Sequence, residues 1–435
     1  MKQSKLITIL LIVLMVGGWS LAITATDNGG ESDYEKHLVT AEDYMERKLY
    51  QKAIEEYKEA NSVNNTEESW DFMLSAYEKR YQESTKIYSD YLDAAKKASS
   101  SYQENVDYLL KVANLYLIRN EYTSAYKVLN KAVEEGIYDE QVDKLLMKVK
   151  YAYELPWKSY SEYRSCTNGY YAVNDMGNWS YIKENGTETE FENLILAGSV
   201  GEDGIRVIQN DLRTELIDTD EIVQGILDFE PQDVGIYSEG LIAIKDSTGY
   251  DYYNLLGDKQ FGQFDQAGAF TDGEAAVKKG NEWFLVDNKG EKVSKHVYED
   301  IVLLEDQSHV KDEVMLVKED GSYHFLNKKG KIIGNYSNVD KITNDELVAV
   351  CIEGKWGYVN LKGEEIISPS FVDAKSFSNG LAAVSNGKLW GFINTDGELV
   401  IDYTFLDADY FNSEGKCMVE TGTDIWQLLS FYVEQ

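Results

Sequence analysis

Histidine, cysteine and proline are all scarce. Four histidines (His37, His296, His309, His324) and three cysteines (Cys166, Cys351, Cys417) are spread over 435 residues. The cysteines cannot build a disulfide framework, and so few histidines leave little for a metal cluster or a nucleophile–base pair. Cys351 and Cys417 read instead as small apolar strand residues. Basic residues are also short, 42 Lys and Arg against 76 Asp and Glu, a net charge of -34. A nucleic-acid grip needs a basic surface to displace counterions, so that class is excluded. The chain has no glycine-rich phosphate loop before a helix, and no Cys-x-x-Cys, His-Glu-x-x-His or Gly-x-Ser-x-Gly. The expectation is a protein that is not an enzyme and holds no metal or cofactor. Its hydrophobic fraction of 43% and 32 tyrosines supply ordinary cores. The length predicts at least two domains.

The only long apolar run is at the start. Lys2 and Lys5 precede Leu6–Ile23, LITILLIVLMVGGWSLAI. About 18 uncharged residues at a rise of about 1.5 Å are just long enough to cross a bilayer. Residues 1–26 are therefore expected to be a signal anchor, with a cleaved signal peptide as the alternative, since Ala22 and Ala25 offer small residues near a cut. Both readings leave the lysines cytoplasmic and the bulk of the chain outside. Residues 27–33 read as a polar linker.

From Tyr34 to Leu155 there is one glycine, Gly136, and no proline. Apolar residues recur at three and four, the amphipathic helix signal. One pattern occurs twice: Ala41, Tyr44, Ala53, Tyr57, Ala60, and Ala113, Tyr116, Ala125, Leu129, Ala132. Small alanines at that spacing let two antiparallel helices approach closely, around short turns at Arg47–Leu49 and Arg119–Glu121. Trp70–Ser99 has the length of a third hairpin, with Ser75 and Ala94 as its small positions, and Tyr138–Leu155 reads as a capping helix. These hairpins resemble tetratricopeptide repeats, whose unit is about 34 residues. The resemblance implies a concave groove for a partner segment. Its groove positions fall on Lys79, Arg80 and Asn114, where a cation and an amide would clamp a carboxylate. The bland alternative is a charged helix face that is merely solvated.

Pro156 ends the helices, and a β motif then repeats to the C-terminus. GLAAV-like segments begin at Gly169, Gly204, Gly240, Gly273, Glu313, Glu346, Gly380 and Gly415, at intervals of 33 to 40 residues. An aromatic or apolar strand follows each, at Trp179, Leu212, Tyr252, Trp283, Tyr323, Trp356, Trp390 and Trp426. Asn or Asp, two residues, then Gly closes a hairpin at Asn254–Gly257, Asp287–Gly290, Asn327–Gly330, Asn360–Gly363 and Asn394–Gly397. The Trp-Gly pair itself stands at Trp356-Gly357 and Trp390-Gly391. Residues 156–435 resemble the WG (KWG) repeat family, which implies a β-propeller-like domain of generally unassigned activity. Closure into seven or eight blades protects sheet edges, so a closed propeller is favoured over an open β-solenoid.

Possible chemistry in the repeats meets a plainer reading each time. The Asx-x-x-Gly loops lack the alternating oxygen ligands of a calcium site and read as turns. The repeated tryptophans read as blade core rather than sugar platforms. Asp265, Asp340, Asp373 and Asp407 precede the AAV strands and would line one acidic rim, unless each bonds locally to backbone. The β region holds 23 basic and 50 acidic residues, so it is the acidic part. The expected function is a membrane-anchored, extracytoplasmic scaffold or adaptor of the cell envelope that binds a protein or peptide. Binding of cell-wall polysaccharide is the alternative, and a carboxylate-dependent glycoside hydrolase a more distant one.

Overall fold

The computed structural model describes residues 29–433. The expected anchor, residues 1–26 with the run at 6–23, lies outside them. Among the described residues no helix is long and apolar enough to cross a membrane. The chain divides into two compact units at Asp143 and Lys144.

The first unit is helical. Its helices are α1 (Gly29–Glu46), α2 (Tyr50–Val63), α3 (Glu67–Glu83), α4 (Tyr88–Ser101), α5 (Val106–Ile118) and α6 (Tyr122–Glu134); α7 (Glu140–Lys150) runs across the division. Helix α1 begins at Gly29, so residues 29–33, expected as linker, are helical. The division also falls earlier than the expected boundary at 155. Both short turns form where predicted, and each places one residue in the left-handed region, Lys48 at φ 57° and Asn120 at φ 58°. Caps define other ends: the Thr66 hydroxyl accepts from Ser69 N, and Asn105 Oδ1 accepts from the amides of Asp107 and Tyr108. Each of the first six helices packs on its sequence neighbours. The alanines are the reason for the close approach. Ala41, Ala53, Ala60, Ala113 and Ala125 are wholly buried, with Tyr57 and Leu129 beside them. In the middle hairpin Ser75 is exposed, contrary to expectation, and its neighbour Ala76 is the buried small residue.

The second unit is an eight-bladed β-propeller. Its eight sheets follow one another along the chain. Blade 1 holds Glu162–Thr167, Tyr170–Asp175 and Asn178–Lys183; blade 2 runs from Leu196 to Leu227, blade 3 from Asp233 to Phe264, and blade 4 from Gln266 to Asp287. Blade 5 spans Asp300–Tyr336, blade 6 Asn338–Phe371 and blade 7 Asp373–Phe405. Blade 8 joins Asp407–Ala408, Lys416–Gly422 and Ile425–Phe431 to an outer strand from the other end of the unit, Tyr153–Glu154. Tyr153 pairs with Phe431 and Glu154 with Ser430, and Tyr160 exchanges both backbone hydrogen bonds with Trp426. The ring therefore closes by shared strands, which excludes the open solenoid and fixes the blade number at eight.

The repeated motif has a packing logic. The GLAAV segments are the second strands, and their alternate residues feed the cores between blades. Ala383, Phe392, Phe405 and Phe411 pack together between blades 7 and 8, for example. Third-strand tyrosines reach across to the next blade's innermost strand. Tyr181, Tyr252 and Tyr358 donate to the carbonyls of Gly198, Gly268 and Lys375 at 2.6, 2.7 and 3.0 Å.

The glycine of Trp-Gly has a steric cause. A Cβ on Gly391 would stand 2.5 Å from the Ile401 carbonyl oxygen, and one on Gly357 2.6 Å from that of Ile367. The outer strand bulges against the third strand at this point. Blade 3 inverts the arrangement. Asp251 occupies the glycine position and Gly262, in the outer strand, yields the room. Asp251 is fully buried there and pairs with Lys259 at 2.5 Å.

The Asx turns form as expected. In the last of them Asn394 Oδ1 accepts from the amides of Asp396 and Glu398, while Gly397 takes φ 80°. Blade 2 has the same turn at Asp218 with Glu221, at φ 63°, in the glycine position.

Candidate functional site

The helical unit contains a groove of about 680 Å³. Helices α3, α4 and α5 supply most of its wall, with Gln141 from α7. Leu74, Leu110, Leu115 and Ile118 give it an apolar lining, and Tyr81, Tyr91 and Tyr108 an aromatic one. Asn114 lines the groove and is exposed. Its Nδ2 donates to the Leu110 carbonyl at 2.8 Å, which leaves the amide oxygen and one N–H for another group.

Lys79 and Arg80 do not join it there. Lys79 is exposed outside the groove wall, and Arg80 pairs with Glu83 at 3.3 Å on its own helix. The reason is helical phase: the groove takes Asp71, Leu74, Glu78 and Gln82 from α3, a face that leaves 79 and 80 aside. The groove cation is Lys111 on α5, three residues before Asn114. It pairs with Glu78 at 3.2 Å. Burial works to lower the Lys111 pKa, but Tyr91 and Glu78 outweigh it and hold the ammonium more firmly charged. Asp71 accepts a 2.8 Å hydrogen bond from Tyr108, whose hydroxyl burial pushes well above its ordinary range. The sequence signal for Lys111 was present, since it lies on the helix that carries Ala113 and Asn114.

In the propeller the register sorts the rim carboxylates differently from the sequence. Asp373 and Asp407 share one ladder position, opposite Ser385 and Glu420. Asp265 stands one residue before that position and Asp340 two residues after it. They do not form one ring. Asp373 and Asp407 bond to the next residue's amide, so two of the four bond locally, while Asp265 accepts from Gly280 N in the hairpin of the following strands. Asp340 bridges blades, accepting from Ser376 N and from the Tyr410 hydroxyl, and Asp407 does so through its ion pair with Lys375.

Backbone pairing identifies another ring, one residue per blade: Arg164, Gly198, Gly235, Gly268, Val302, Asp340, Lys375 and Asp409. Blades 2 to 5 place glycine or valine there, and blades 6, 7, 8 and 1 place charges. The four charged members stand five or six residues before the segment starts Gly169, Glu346, Gly380 and Gly415. That spacing was the signal that sequence reading missed.

The tryptophans are mostly core, as expected. Trp179 and Trp283 are buried, and Trp356, Trp390 and Trp426 half-buried. Two alignments are corrected. The strand position of Trp390 is held by Thr214 in blade 2 and by Tyr250 in blade 3, while Leu212 is 90% exposed in a turn. Among the described residues no group of three or more His, Cys, Asp or Glu is arranged to hold a metal ion.

A family model described as "WG containing repeat" matches residues 261–283, 356–390 and 390–422. The chain thus carries WG repeats, in the propeller. No curated protein matches it. Among solved structures it is similar to the WD40 domain of Pan2 from Neurospora crassa, at 11% identity over 56% of this chain and 90% of that one, with a TM-score of 0.34. It is also similar to Sqt1 from Saccharomyces cerevisiae, at 12% identity, 54% and 80% coverage and a TM-score of 0.30. The extracellular domain of the putative hybrid two component system BT3049 from B. thetaiotaomicron matches at 11% identity, 60% and 48% coverage, and a TM-score of 0.28. At such identities and scores these likenesses say nothing of what the chain binds.

Proposed function

We propose that this protein is a scaffold of the cell envelope, held by its N-terminal apolar run and displayed outside the cytoplasm. Its helical unit acts as a tetratricopeptide-like clamp for an extended peptide of a partner protein. The observation that carries the reading is the 680 Å³ groove with Lys111 and Asn114 on one wall and three tyrosines beside them. Aromatic and leucine side chains supply area, while a cation and an amide one helical turn apart fix a carboxylate or a peptide group. Catalysis is no part of this reading.

The test is crosslinking capture by the full-length chain in its own cells. Lys111→Glu with Asn114→Ala is expected to reduce the captured partner at least tenfold. Lys79→Glu with Arg80→Glu is expected to leave it unchanged, because those residues lie off the groove. Capture that survives the first pair would sink the clamp. The anchor is checked separately by fractionation. Removal of residues 1–26 is expected to move the chain out of the membrane fraction, and persistence there would refute that part.

A further inference from the structure

The strongest unassigned feature lies in the propeller, on the face where first and second strands of the blades connect. A cavity of about 380 Å³ opens there between blades 1, 5, 6, 7 and 8. Its charged lining is Glu184, Glu305, Asp345 and Asp409, and no Lys, Arg or His lines it. Tyr171 also belongs to this wall, and its hydroxyl lies within electrostatic reach of Cys166, Asp409 and Glu305. Tyr171 is 1% exposed, and its oxygen is buried with no hydrogen-bond partner. Buried hydroxyls are nearly always satisfied, so this one marks a place built for a further group.

Each of the four carboxylates is held by a neighbouring group. Glu184 accepts from Ser413 Oγ at 2.6 Å. Asp345 caps the amides of Asn379 and Gly380. Asp409 accepts from Ser165 Oγ at 3.4 Å. Glu305 alone has an ion pair, with Lys341 at a long 3.5 Å. Two lysines stand close to these carboxylates: Lys341, the partner of Glu305, also lies over the Tyr410 ring at 4.3 Å, and Lys375, which pairs with Asp407 at 3.3 Å, is held charged by Asp409 as well. A smaller cavity of about 220 Å³ shares Cys166, Asn168 and Glu305 with the first, and extends it toward blade 3.

We propose that this cavity is a binding site for one aliphatic ammonium or guanidinium group, whose N–H donors the Glu305 and Asp409 carboxylates and the Tyr171 hydroxyl accept. An ammonium or guanidinium carries only donors, which suits a wall of acceptors. The volume falls at the small end of ligand sites, enough for a single extended amine or one basic side chain. Such a group comes either from a free polyamine or from a lysine or arginine of a partner chain. The site belongs to the propeller and does not depend on the helical groove.

The test is calorimetric titration of the full-length chain at pH 8 with two probes, spermidine and a glycine-flanked arginine peptide. The same peptide with citrulline in place of arginine is the control. Saturable binding at one equivalent is expected for at least one cationic probe, and none for citrulline. Preference for spermidine points to a free amine, and preference for the peptide to a partner side chain. Glu305→Gln and Tyr171→Phe are each expected to weaken binding at least fivefold. The exposed Glu282→Gln should change nothing. No saturable binding up to 1 mM would overturn the proposal. So would many weak equivalents unaffected by any variant, the signature of diffuse attraction to a chain of charge -34.

Discussion

Replacing Tyr151, Tyr153 and Tyr160 together by alanine is expected to lower the melting point of the propeller by about 10 °C or more. These residues belong to the segment that completes blade 8. Tyr151 is 8% and Tyr160 6% exposed. Tyr151 meets Phe431 edge-on at 6.1 Å, and Tyr153 lies 5.8 Å from Phe405. Truncating a buried aromatic costs about 3–5 kcal/mol. Two such losses amount to roughly 6–10 kcal/mol, against a total stability of about 5–15 kcal/mol. The backbone share is large too, since the strand otherwise leaves Ile425–Phe431 as an open edge. Near-UV circular dichroism of the tyrosines and tryptophans would follow the melt. Leu212→Ala, at a 90% exposed position, serves as the control and should stay within about 0.5 kcal/mol of the parent. A triple variant that melts within a few degrees of the parent would mean that the seam does not hold the ring.

That seam is also where sequence reading stopped. The repeats were legible because each blade solves the same packing problem with the same residues, so GLAAV, Trp-Gly and Asx-x-x-Gly recur in register. The helical hairpins were legible for the same reason, through alanines that must be small. Closure has no repeated word. Tyr153–Glu154 precedes the first copy, and its partner Phe431 is 278 positions away, as 431 − 153 shows. The ring of Arg164, Asp340, Lys375 and Asp409 was hidden differently. Its residues share a spatial position but not a residue type, and a one-residue difference in loop length separates two of them from the other two. Leu212 was misaligned because blade 2 has lost its aromatic, and hydrophobicity alone pointed to a residue in the turn. Lys79 and Arg80 were carried from a resemblance. Asn114 falls in the groove and they do not, because one residue along a helix turns a side chain by about 100°.

Glu305→Gln is expected to stabilise the propeller at pH 8 by about 1–2 kcal/mol and to leave it unchanged at pH 4. Burial pushes the Glu305 carboxyl up to about 7, Asp409 and Asp340 push the same way, and Lys341 opposes them. Tyr171, Cys166 and Tyr410 also face this region, and all three are held neutral by burial. A carboxyl near 7 in the fold and near 4.5 in the unfolded chain binds more protons when folded. Wild-type stability from this group is therefore full below pH 4.5 and is lost as pH rises through 7. The difference corresponds to about 3 kcal/mol at most. The side chain is 30% exposed and solvent screening reduces it, hence the smaller figure. Glutamine resembles the protonated acid, so its advantage should grow between pH 4.5 and 7 and then level off. Denaturant melts at pH 4, 6 and 8 would read it, and an equal effect at all three would show that Glu305 titrates normally. The same substitution is expected to weaken cation binding. A residue whose removal strengthens the fold and weakens a ligand is one retained for the ligand. The two measurements on one variant therefore separate a carboxylate that serves the propeller from one that the propeller supports at a cost.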